Sequence, residues 1–140
     1  MSGPGQPRVF HLDAVAVGAN NPTSRSARIV TPESTGSDRL YAGMFWSEPG
    51  SRGGWSFQGD DPDEGRTVDE IPHLGSHDEV YLCLRGRVRV TWEDGGFEFG
   101  ANDVVYFPAG HTYLTEVVGD EPVQVFYVMG PAPRWMAPLT

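Results

Sequence analysis

The stretch His73-Leu74-Gly75-Ser76-His77-Asp78-Glu79-Val80-Tyr81-Leu82-Cys83-Leu84-Arg85-Gly86 decides how this chain is read. Its second half is rich in β-formers and stops at a glycine. Side chains alternate faces along an extended segment. His73, His77, Glu79, Tyr81 and Cys83 are all odd-numbered, so an extended segment puts them on one face. A second stretch, Asp103 to Tyr113, turns at Pro108-Ala109-Gly110 and then sets His111 and Tyr113 on a shared face. Imidazoles, a carboxylate and phenols inside a fold are costly unless a metal ion, a polar ligand or ordered water satisfies them.

Outward from these stretches the chain reads as short strands between turns. Leu40–Trp46, Glu79–Arg85, Val88–Trp92, Phe97–Phe99, Val104–Phe107, Tyr113–Val118 and Val123–Met129 are the clearest. Val88, Val90 and Trp92 alternate with Arg87, Arg89 and Thr91, the pattern of a half-buried strand. Asp94-Gly95-Gly96 is expected to be the hairpin turn after it. Earlier, Val9–Phe10, Ala14–Val17 and Arg28–Thr31 are short strand candidates, with a turn at Gly18–Pro22 and a loop at Pro32–Asp38. Residues 58–69 read as an acidic exposed loop, a candidate lid. No window keeps a helical apolar period without Gly or Pro, and short strands at this spacing imply an all-β sandwich or barrel.

The chain has 140 residues, a length that suits one domain. We expect residues 1–37 to form an arm and edge strands, 38–130 a barrel and 131–140 a tail. Hydrophobic residues at 39% and charged residues at 21% are ordinary for a globular protein. A net charge of −9 argues against a nucleic-acid partner, and no polybasic stretch suggests a membrane surface. A single cysteine, Cys83, excludes an intrachain disulfide and a cysteine zinc cage; its expected place is the core. With no leader pattern at the N-terminus and no bilayer-length apolar run, a cytoplasmic location is expected.

The two quoted stretches resemble the paired motifs of the cupins, over about residues 40–130. Glu79 and Gly86 keep the first motif's spacing, and Pro108-Ala109-Gly110 with Tyr113 follows the second. The resemblance implies a cupin jelly-roll, a double-stranded antiparallel β-barrel. It also implies a divalent metal (Fe, Mn, Ni, Zn or Co) and a homodimer. The chain departs from the usual ligand set: Gly75 stands at the second His position and Tyr113 at the last. His77, two residues before Glu79, can stand in for the lost histidine. That local pattern resembles ectoine synthase-type cupins. A Tyr two residues after the Glu, here Tyr81, is similar to that of some dimethylsulfoniopropionate lyases.

The candidate metal ligands are therefore His73, His77, Glu79 and Tyr113, and the candidate acid–base residues are Tyr81, Tyr113 and His111. Trp55, Phe57, Arg52 and Tyr106 are candidates for the substrate pocket. Most have a plainer reading: a structural carboxylate for Glu79, loop or surface histidines for His73 and His111, core aromatics for Tyr81, Tyr113, Trp55, Phe57 and Tyr106, and a solvated Arg52. The leading expectation is a small-molecule enzyme using metal-assisted proton abstraction toward isomerisation, cyclisation or elimination. Dioxygenation ranks lower, because oxygen-activating cupins usually keep three histidines. Two alternatives stand beside it. One is a metal-free His/Tyr acid–base cupin of epimerase or dehydratase type, and the other a ligand-binding cupin without turnover.

Overall fold

A computed structural model describes residues 6–53, 78–109 and 113–132. A 3-10 turn at Leu12–Ala14 precedes β1 (Val17–Asn21) and β2 (Ser24–Val30). One helical turn, α1 (Pro32–Thr35), leads to β3 (Tyr41–Ser47) and the short β4 (Arg52–Gly53). Then follow β5 (Asp78–Arg85), β6 (Arg87–Trp92), β7 (Gly95–Gly100), β8 (Val104–Phe107), β9 (Leu114–Val118) and β10 (Val123–Gly130).

The strands form two antiparallel sheets, ordered β1-β2-β3-β10-β5-β8 and β4-β9-β6-β7. Their inner faces enclose one apolar core. Cys83, Val88, Val90, Phe99, Val117, Val123 and Val125 fill it, each 6% exposed or less. The alternation read in β6 holds, with Val88 and Val90 buried and Arg87, Arg89 and Thr91 exposed. On the outer face of the smaller sheet, Arg87 and Arg89 pair with Glu98, and Arg89 also with Glu116.

Several local expectations are corrected. Gly18 to Asn21 belong to β1, and the turn falls at residues 22–23. No strand begins at Ala14; the chain makes the 3-10 turn there first. β2 starts at Ser24, earlier than its apolar residues suggest. Its serines are satisfied across the sheet, Ser24 Oγ lying 2.8 Å from Ser47 Oγ and 3.0 Å from Ser51 Oγ. The Pro32–Asp38 loop contains a helical turn. Its capping box joins Thr31 and Ser34, and Pro32 preorganises the first turn.

The β6–β7 hairpin turns at Glu93-Asp94, with Gly95 paired to Trp92 and Gly96 to Thr91. Gly95 is needed as a strand residue because the Trp92 indole covers it; a Cβ there would stand 2.8 Å from the ring. Among the described residues no helix is long and apolar enough to cross a membrane.

Candidate functional site

Register carries the interior face of the larger sheet in rows. Arg28, Gly43, Tyr127, Tyr81 and Val105 stand in line across β2, β3, β10, β5 and β8. Tyr41, Met129, Glu79 and Phe107 form the row beside it. Directly paired residues share a face, so the odd-numbered face read in residues 79–83 is the inner one. Glu79, Tyr81 and Cys83 on it are 5%, 8% and 0% exposed.

Tyr113 enters from the other sheet, immediately before β9. It is buried, and its hydroxyl donates to Glu79 Oε1 at 2.8 Å. Tyr81 hydrogen-bonds with the side chains of both Tyr113 and Glu79. Three polar tips thus converge from β5 and the start of β9. Aromatic rings hold them in place. Phe107 stacks on Tyr113 at 4.2 Å and meets Tyr81 edge-on at 4.9 Å, while Phe45 meets Tyr81 edge-on at 5.4 Å.

This setting fixes the protonation of the phenols. Burial, and next the charge of Glu79, push Tyr81 and Tyr113 well above the ordinary phenol value. Both are neutral O–H donors here, which favours the acid role over the base role that was weighed beside it.

Sequence reasoning missed part of the interior. Tyr127 and Tyr41 are buried, stacked at 6.3 Å, and both raised above the ordinary phenol value, chiefly by burial. The positive charge of Arg28 acts on both in the opposite sense, and register puts Arg28 in one row with Tyr127. The signal for Tyr127 was available: Val123, Val125, Tyr127 and Met129 alternate, and one of the four carries a polar tip. Nothing in the sequence marked Arg28 as inward-facing, because the register of β2 on β3 decides it.

The other candidates fall elsewhere. Tyr106 is on the outward face of β8, 58% exposed, with a hydrogen bond to Asp78. It lines an open groove of about 430 Å³ with Phe97, Glu98, Phe99, Asp103, Val104 and Val105, and neither Glu79 nor Tyr113 borders that groove. Arg52 is exposed on β4, paired in register with Glu116. His73, His77, His111, Trp55, Phe57 and the acidic loop at 58–69 lie outside the described residues.

Among the described residues no three His, Cys, Asp or Glu side chains gather as a metal site. Glu79 and Tyr113 nevertheless present two oxygen donors to the interior, a donor type that suits a divalent ion.

Two antiparallel sheets closed over one interior define an all-β barrel protein. Residues 61–129 match the cupin domain family. Together with the jelly-roll architecture, that match makes the chain a cupin. A comparison with curated proteins gives no match. Among solved structures, KdgF from Halomonas sp. superposes with a TM-score of 0.66 at 13% identity, over 94% of this chain and 100% of that one. A protein described as a predicted oxalate decarboxylase from Thermotoga maritima gives 0.65 at 15%, over 89% and 99%. An RmlC-like cupin from Shewanella frigidimarina gives 0.64 at 13%, over 92% and 95%. At these identities the likeness is one of fold.

Proposed function

We propose that this cupin is an enzyme that moves a proton on a small molecule inside the barrel, with isomerisation, cyclisation or elimination as the outcome. The hydrogen bond from Tyr113 to Glu79 carries the reading. It places a neutral phenol and a carboxylate within 2.8 Å of each other in a buried site. In the reaction Glu79 accepts a proton from a carbon beside a carbonyl, and Tyr113 or Tyr81 donates one to the substrate oxygen. The proton on Glu79 then returns to the phenol along their hydrogen bond. No proton is lost, and the net change is a proton shift; where the neighbouring carbon carries a leaving group, it departs with the proton from the substrate oxygen, and the net change is an elimination.

The cupin resemblance also implies a divalent metal. His73 and His77 with Glu79 and Tyr113 would hold it, and it would supply Lewis acidity toward a substrate oxygen. The metal-free alternative uses the same Tyr113 with His77 or His111 as the acid–base pair. The reading keeps the homodimer and the cytoplasmic location expected from the sequence; sedimentation of the purified chain tests the first.

Deuterium exchange tests the activity. Small 2-oxo and 2-hydroxy acids are incubated with the protein in D2O and followed by proton NMR. Exchange by wild type, cut at least about a hundredfold in Glu79→Gln and Tyr113→Phe, supports the reading. Undiminished exchange in both folded variants overturns it. Saturable binding without exchange favours the ligand-binding alternative.

A further inference from the structure

Along the inner face of the larger sheet, toward β3 and β2 from Glu79, lies a second polar wall that the proton-transfer chemistry does not use. Arg28 is paired with Gly43 and Gly43 with Tyr127, so all three share the inner face. The Arg28 Nε is buried. Gly43 is the opening that lets the wall form. A Cβ there would stand 2.6 Å from the Tyr127 hydroxyl and would also collide with the Ala27 carbonyl. With no side chain at 43, the Tyr127 phenol reaches over β3 toward β2. Tyr41 stacks on Tyr127 at 6.3 Å, and the charge of Arg28 acts on both phenols.

We infer that Arg28, Tyr127 and Tyr41 form the recognition wall for a carboxylate on the substrate, orienting it so that its reacting carbon faces Glu79 and Tyr113. A guanidinium matches a carboxylate with two parallel N–H bonds, and phenol hydroxyls add donors. Arg28 also has contacts within the protein. Its five N–H donors let it keep those and still hold a ligand.

Charge selects a carboxylate over a phosphate. The charged groups acting on the two phenols are Arg28, Glu79 and Glu33: one cation against two carboxylates. A singly charged group is tolerated in that balance better than a doubly charged one. The neutral, high-lying phenols of Tyr41 and Tyr127 fit the same role, since they donate rather than repel.

The assignment of the wall to substrate orientation rests on the proton-transfer reading; the binding of a carboxylate does not. Benzoate, benzamide and phenyl phosphate, three probes with one ring and different heads, are titrated into the whole chain by NMR at millimolar concentrations. The expected result is saturable benzoate binding about tenfold tighter than benzamide, with phenyl phosphate no tighter than benzoate. Arg28→Gln should remove the preference and Arg28→Lys restore part of it, each checked for fold by circular dichroism. If either Arg28 variant fails to fold, Tyr127→Phe should narrow the preference.

Equal binding of benzoate and benzamide, no benzoate binding, or a full preference in folded Arg28→Gln overturns the inference. Tighter binding of phenyl phosphate overturns the choice of carboxylate. Arg28-dependent benzoate binding in a protein without exchange activity would sink the enzymatic reading and leave this one standing. The converse result would do the opposite.

Discussion

Tyr113 can be tested one atom at a time. Tyr113→Phe keeps the ring stacked on Phe107 and removes only the hydroxyl that donates to Glu79. The carboxylate then keeps its burial with one donor fewer, which costs about 1–3 kcal/mol. A lowered urea midpoint at unchanged slope is expected. Tyr106→Phe, on the exposed side of β8, should leave the midpoint where it was. Equal effects of the two substitutions would remove the energetic distinction between inner and outer phenol. At Gly43, Ala is the informative change. Its Cβ meets a backbone carbonyl and the Tyr127 hydroxyl, so overpacking of about 1–3 kcal/mol is expected, read from the same denaturation curve.

Single elements place these residues, and the β7–β8 turn is the most consequential. Asn102 takes a left-handed conformation, φ 72°. Its amide donates to the Cys83 carbonyl at 2.8 Å, the Cys83 amide donates to the Asp103 carbonyl at 3.0 Å, and the Asp103 carboxylate accepts from the Gly100 amide at 2.8 Å. The turn therefore locks β8 onto β5 in the register that sets Phe107 beside Glu79. Asn102→Val, a β-branched residue at positive φ, should cost about 1–3 kcal/mol, whereas Asn102→Gly should be tolerated. Equal stability of the two by thermal denaturation would show that the turn does not set the register.

The element scale is also where sequence reading was least complete. Strand bounds from β5 to β10 were legible where alternation and turn residues agree, except at the β6–β7 hairpin, where Gly95 and Gly96 belong to the strand. β2 was read too short because serines are poor strand formers by themselves. Their hydroxyls find partners only once β3 is alongside.

For the molecule as a whole, the inner phenols couple folding to alkaline pH. Tyr41, Tyr81, Tyr113 and Tyr127 are four of the five tyrosines, all buried and all raised, chiefly by burial. An unfolded phenol ionises near pH 10. Groups held above that value in the fold contribute stability that is complete below about pH 10 and is lost as pH rises toward their folded values. Stability should therefore fall steeply only above about pH 10. Beyond the single phenolate of exposed Tyr106, absorbance near 295 nm should rise together with loss of β-sheet ellipticity. Further phenolate appearing well before unfolding would contradict the enclosed interior. On the metal, elemental analysis of purified protein decides: a bound divalent ion that Glu79→Gln loses is the expected result of the metal-assisted reading.

Amino-acid order by itself determined the all-β class, the strands of the second half and the shared face of Glu79, Tyr81 and Cys83. Strand periodicity is local, and each of those conclusions needs only parity and punctuation. The tertiary structure alone decided that Arg28 and Tyr41 join the interior and that Tyr106 leaves it. Those placements depend on which strands become neighbours and in what register, and hydrogen bonding between segments as far apart as Tyr41 and Met129 settles that, not the pattern along either one.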